Sequence, residues 1–287
     1  MKSLLRVPNP PSYISRHDGI VDSKRDVVVR TQLQSINALI EARYDEYEYR
    51  LDNDTVHQMV EHPVILASAN DLQSCYKSKT KGLKVLLSEI GKSQRQRVLE
   101  RCPYCGITLP RTYDHYLPKD KYPELSVHVL NLIPCCNECN SSKGDRWSVA
   151  GGRLFLHFYR DDLPQSQYLF VEIATRPNTH AYGVKYSLSA NRPNDCAQGV
   201  WDLIVSHYSK LGLLDKYRNQ SNNEISNTFS TCVAHIKDGG RSISNFINMI
   251  SDTEEQIFGS NHWRVVLRRA LASTEEFERH VLESAAS

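Results

Sequence analysis

The sequence predicts an α+β chain. A small cysteine-closed core lies between a helical N-terminal module and a helical C-terminal region, and a small antiparallel sheet follows the core. Three observations predict this. Two Cys-x-x-Cys pairs, Cys102/Cys105 and Cys136/Cys139, bracket a short stretch rich in polar chemistry. Apolar residues recur at helical spacing on both sides of it. Aromatic and β-branched runs separated by turn-formers come directly after it.

In chain order, residues 1–28 carry Pro8, Pro10 and Pro11 among polar residues and read as an extended arm. Leu33, Ile36, Leu39 and Ile40 set a helical stripe between Val29 and Asp52. A second helical stretch, Asp71 to Glu100, carries the stripe Leu83, Leu86, Leu87 and Ile90, with breaks expected near Gly82 and Gly91. In the core, Thr112–Leu117 reads as the first strand, Leu125–Ile133 as a second strand or loop, and a helix begins near Glu138. Leu154–Tyr159, Tyr168–Ile173 and Val184–Leu188 read as three strands of the small sheet. Helices are expected over Gly199–Tyr217, Asn223–Lys237, Ser242–Phe258 and Trp263–Glu283. The expected divisions are an arm and helical module at 1–100, the core at 101–147, a β region at 148–198 and a helical region at 199–287.

The composition is that of a water-soluble globular protein, with 40% hydrophobic and 24% charged residues in a chain of 287. No apolar run reaches membrane-spanning length and no signal-peptide core opens the chain, so a cytoplasmic location without membrane attachment is expected. The net charge of +2 is uninformative, but between Lys77 and Lys119 ten Lys/Arg face three Asp/Glu, a local +7 leading into the core. Such a run is either a solvated face or a path for phosphates. Arg264, Arg268 and Arg269 form a second basic edge, open to the same two readings.

Four thiolates fill the closed shell of a structural zinc ion, and the paired spacing of Cys102, Cys105, Cys136 and Cys139 suits it. Cys135, next to a presumed ligand, is a competitor, whereas Cys75, Cys196 and Cys232 read as buried thiols. Asp114 and Asn140 offer hard oxygen donors suited to Mg²⁺ or Mn²⁺. His115, beside Asp114, has the neutral-range basicity needed to deprotonate water. Lys143 follows Asn140 by three residues, on one face of the expected helix, whose N-terminus would favour a phosphate. His128 reads as structural or exposed, and His157, Tyr159 and Asp161 as packing and turn residues as readily as site residues.

Asp-His-x-x-Pro, then Asn-Leu, then Cys-x-x-Cys-Asn-x-x-Lys resembles the HNH endonucleases, over about residues 101–147. The resemblance implies a ββα-metal core, with Asp114 and Asn140 as ligands of the catalytic ion and His115 as general base. It also implies that Asn131 braces the loop carrying the histidine and that the four cysteines hold zinc. Asn140 stands where the name-giving pattern has its final histidine. The longer run from His115 to Asp145 is similar to a bacterial subfamily encoded beside ATPases in anti-phage loci.

The expected function is therefore metal-dependent hydrolysis of DNA phosphodiester bonds, within a defence complex that includes an ATPase bound by the helices from Trp201 onward. The alternative is a non-catalytic, zinc-stabilised nucleic-acid-binding or scaffold subunit. The residues leave open DNA against RNA, nicking against double-strand cutting, and whether the chain self-associates.

Overall fold

The computed structural model describes residues 2–175, 179 and 181–287. Two compact units divide the chain. The N-terminal unit comprises residues 3–104 and 108–162, and the C-terminal unit residues 1–2, 105–107 and 163–287.

Helices dominate the first half of the N-terminal unit: α1 (Tyr13–Asp22), α2 (Val27–Ser35), α3 (Asn37–Asp52), α4 (Pro63–Ala67), α5 (Ala69–Lys77) and α6 (Lys81–Lys92). Local chemistry starts several of them. Ser12 Oγ caps α1 through Ser15 N, Asp26 caps α2 through Val28 N and Val29 N, and Thr80 caps α6 through Leu83 N. The expected extended arm is thus partly helical. Tyr13, His17, Ile20 and Val21 recur at helical spacing along α1, and that face is buried. The break in the second helical stretch falls at 78–80 instead of at Gly82. Gly82 lies inside α6 because a Cβ there would stand 3.0 Å from Gly19 O and from Ile20 Cα, so its bareness lets α6 pack close on α1.

The core follows as β1 (Thr112–His115), β2 (Leu132–Cys135) and α7 (Asn137–Lys143). β1 and β2 are antiparallel, with Asp114 opposite Ile133 and His115 opposite Leu132. The 3-10 turns Pro123–Val127 and Val129–Asn131 connect them. Pro123 opens the first, and Arg43 of α3 pairs with the buried Glu124 at 2.8 Å to hold it. A two-residue bridge, β3 (Ser148–Val149) with β4 (Gly152–Arg153), comes next.

Leu154–Tyr159 is not a strand. Its aromatic residues are buried, but the chain turns here around Asp161, which accepts from His157 N at 2.7 Å and takes both ends of the Arg153 guanidinium at 2.8 Å. The carbonyls of Phe155 and Leu132 accept from the Tyr116 and Tyr159 hydroxyls, which ties this turn beneath β1 and β2.

In the C-terminal unit, β5 (Leu169–Thr175) and β6 (Tyr182–Leu188) form an antiparallel hairpin, so the expected small sheet has two strands instead of three. Five helices follow: α8 (Gln198–Leu211), α9 (Leu213–Lys237), α10 (Ile243–Phe258), α11 (Trp263–Ala272) and α12 (Glu275–Ala286). Gly212, in the left-handed region at φ 62°, turns α8 into α9. The basic edge on α11 is an internal ion network. Arg264 and Arg268 each pair with both Glu224 and Glu254, and Arg269 reaches Asp252 at 2.8 Å, so these charges are met within the unit and do not form a nucleic-acid face. No helix among the described residues is long and apolar enough to cross a membrane.

His17, His128 and His157 of the N-terminal unit are buried. His128 sits edge-on among Tyr13, Tyr44 and Tyr47, accepts from Leu130 N and donates to Glu48. His157 packs on Tyr116 with its Nε2 3.2 Å from the Tyr47 hydroxyl. Burial lowers the pKa of His128 and pushes that of His157 down to about 3. Unfolded histidine protonates near 6.5, so below that pH the unfolded chain binds more protons than the fold. Stability is therefore expected to fall as pH drops below about 6.5, by up to about 1.4 kcal/mol per pH unit for each histidine. Urea midpoints at about pH 7.5 and about pH 5 check this, and equal midpoints would contradict it.

Candidate active site and metal centre

Alternation along β1 separates the Asp-His pair. Asp114 turns inward and is 2% exposed, while the adjacent His115 is half-buried. Both Asp114 oxygens are engaged. Oδ2 accepts from the Tyr104 hydroxyl at 2.7 Å, and Oδ1 from Lys143 Nζ at 3.0 Å. Burial raises the Asp114 pKa, against the pull of Lys143 and Tyr104. Lys143, at the end of α7, is itself buried and donates to the His115 carbonyl at 3.1 Å.

His115 Nε2 lies 3.0 Å from Ser126 O. A carbonyl only accepts, so Nε2 carries the hydrogen and the neutral ring keeps its lone pair on Nδ1. Burial pushes the His115 pKa down to about 4, leaving the ring neutral near pH 7. The ring of Tyr76 from α5 meets it edge-on at 4.5 Å.

Asn131 is fully buried and saturated by one loop. Its Oδ1 accepts from Leu117 N at 2.8 Å, and its Nδ2 donates to Leu117 O and Leu125 O, both at 3.1 Å. It thereby ties the end of the β1 segment to the turn that supplies Ser126 O. Asn131→Ala leaves these backbone groups unpaired and is expected to cost roughly 2–4 kcal/mol, read from urea unfolding. A loss below about 0.5 kcal/mol would contradict a bracing role.

The Sγ atoms of Cys102, Cys105, Cys136 and Cys139 all lie within 4.8 Å of one another, and all four residues are buried. No disulfide links them. Backbone N–H groups of Cys136, Ile107 and Cys139 point at Cys102, Cys105 and Cys136 sulfurs, at 3.3, 3.5 and 3.4 Å. Four converging sulfurs with N–H donors behind them fit a structural zinc ion. Cys135 lies outside the cluster, and burial raises its thiol pKa. Because Cys136 Sγ caps the start of α7, that helix end is turned to the sulfur cluster and does not form the phosphate cradle expected from sequence.

Asn140 lies on α7 one turn before Lys143, so both share the helix face that meets β1. It is partly exposed, and its side-chain amide has no hydrogen-bond partner among the described residues. Asp114 and Asn140 both carry hard side-chain oxygens, those of Asp114 already accepting from Tyr104 and Lys143. The structure places Asp114 and His115 on β1, Asn131 in the turn before β2, and Asn140 and Lys143 on α7, with Lys143 bonded to Asp114 and to the His115 carbonyl. His128, His157, Tyr159 and Asp161 serve packing and turns.

Sequence reasoning missed Tyr104 and Tyr76. The signal for Tyr104 was its place between two ligand-spaced cysteines, where a side chain is held rigidly. Tyr76 gave none, because it meets His115 only through the tertiary fold.

Residues 102–146 match the family model described as HNH endonuclease. Over 197 residues the chain is 25% identical to Protein ea31 of Escherichia phage lambda, covering 63% of this chain and 64% of that protein. Over 49 residues it is 43% identical to the Septu protein PtuB of Bacillus thuringiensis, covering 15% of this chain and 19% of that one. The chain thus spans less than two thirds of the length of these curated relatives. No solved structure matches it. Family match, cysteine cluster and strand-turn-strand-helix order coincide on one segment, and the chain therefore carries an HNH endonuclease domain over residues 102–146.

Proposed function

We propose that this chain is a metal-dependent endonuclease that hydrolyses DNA phosphodiester bonds. The observation that carries the reading is His115, held by Ser126 O as a neutral base with Nδ1 free of the ring proton, next to the Asp114 carboxylate. His115 Nδ1 takes the proton of the attacking water. Asn131 keeps the Ser126 carbonyl in place and so fixes which nitrogen acts. Lys143 neutralises the buried Asp114 charge and orients its carboxylate together with Tyr104. Asp114 and Asn140 would hold a divalent ion, which when bound would supply charge compensation at the phosphate. Zinc on the four cysteines serves the fold and stays outside the chemistry.

The test is incubation with supercoiled plasmid, linear duplex and RNA, with Mg²⁺ or Mn²⁺ or with EDTA. Cleavage of DNA in either metal, stopped by brief EDTA treatment, is expected. Cleavage confined to RNA would overturn the substrate, and no cleavage under any condition would favour the non-catalytic, zinc-stabilised nucleic-acid-binding or scaffold subunit.

The regulated setting belongs to the same proposal. The resemblance of the His115–Asp145 run to an anti-phage subfamily encoded beside ATPases, and the local match to a Septu protein, support a cytoplasmic defence complex with an ATPase partner. Met249 of α10 and Leu282 of α12, both well exposed, give the C-terminal helices apolar contact points for it. Pull-down with neighbouring gene products, followed by size-exclusion chromatography, tests the partnership. A solitary monomer that cuts duplex DNA fully would count against it.

A further inference from the structure

A cleft of about 600 Å³ in the N-terminal unit, bordered by α2, α5 and α6, lies outside the site described above. Four cations line it, Lys24, Arg25, Lys79 and Lys81, against the single carboxylate of Asp26, giving 4 − 1 = +3. Asp26 is already committed to capping α2, accepting from Val28 N and Val29 N. The hydroxyls of Ser78 and Thr80 complete a lining of donors.

Lys24 is the unusual member. It is 6% exposed, and buried lysines are ordinarily paired with acids. Its Nζ instead meets Ser74 Oγ at 2.6 Å and the Cys75 thiol, and no carboxylate pairs with it among the described residues. An ammonium has three donors, so one remains for another group. A buried, acid-free cation in a cleft of three further cations favours an anionic ligand.

Location adds to this. Ser74 and Ser78 border the cleft from one side of α5, and Tyr76, two residues along from Ser74, turns away from them onto His115. The cleft and the proposed general base therefore flank one helix, roughly 10–12 Å apart.

We propose that this cleft is a second phosphate-binding site, distinct from that of the scissile bond. It takes a backbone phosphate of a polynucleotide laid across α5, or the phosphate of a free nucleotide. The polynucleotide form rests on the nuclease reading, while phosphate recognition itself does not.

The test uses the full chain carrying His115→Ala, so that substrate survives the measurement. Binding of a fluorescent duplex is followed by anisotropy across a KCl series, and binding of inorganic phosphate by ³¹P line broadening. Lys79→Glu/Lys81→Glu alters exposed residues of the cleft, Lys24→Met its buried cation, and Lys84→Glu/Lys92→Glu makes the same charge change on α6 outside the cleft. The cleft pair is expected to weaken duplex binding about tenfold and to reduce the salt slope by about 1–2, with a smaller effect from the control pair. Loss of phosphate broadening in Lys24→Met or the cleft pair, with duplex affinity unchanged, supports the site with a free nucleotide as its source. Equal weakening by cleft and control pairs, without a change in phosphate broadening, would overturn it in favour of diffuse attraction. So would no response in either assay. Failure of the wild-type chain to cleave leaves these binding results standing, so the two readings fail separately.

Discussion

Replacement of His115 by alanine is expected to slow DNA cleavage by about 10²–10⁴-fold, the usual contribution of a positioned general base. Fold and zinc content should survive. The ring is half-buried, with a single edge contact to Tyr76 and one bond to a backbone carbonyl, so its removal opens little of the core. His115→Asn fits the same space and keeps a donor for Ser126 O but lacks the basic nitrogen, so it should be equally slow. Single-turnover cleavage at saturating Mg²⁺ or Mn²⁺, beside circular dichroism and elemental analysis, is the measurement. Wild-type rates from either variant would remove His115 from the mechanism.

Zinc removal should act on the whole fold. About one zinc ion per chain is expected on the four cysteines, and Cys139→Ser or prolonged chelation should abolish cooperative unfolding of the N-terminal unit. Structural zinc contributes about 10–16 kcal/mol in small zinc-finger peptides, as much as the entire stability of a typical domain. Here the ion would join two segments whose intervening loop carries Asp114, His115 and Asn131. A zinc-free preparation with an unchanged melting midpoint would disprove the assignment. By contrast, Mg²⁺ should wash out with brief EDTA, abolish cleavage and leave the midpoint nearly unchanged.

The site was legible because its chemistry is local. Every sequence-predicted site residue lies in the stretch from Cys102 to Lys143, and the antiparallel pairing of β1 with β2 closes that stretch on itself. Where partners are far apart in sequence, reading failed. Arg264, Arg268 and Arg269 look like a free basic edge until Glu224 and Glu254 are folded against them. Leu154–Tyr159 has the composition of a strand, but Asp161 and Arg153 fix it as a turn, and composition alone does not report that competition. Helix α1 was recoverable from Tyr13, His17, Ile20 and Val21, and the prolines just before it drew attention away from that spacing.

The Tyr104 phenol sits between Cys102 and Cys105 and holds Asp114 by one short bond. The sulfur cluster and the carboxylate are therefore joined through the one residue Tyr104. Peroxide that converts a cluster thiolate to a sulfenic acid would loosen the knuckle and withdraw the phenol, leaving Asp114 to Lys143 alone.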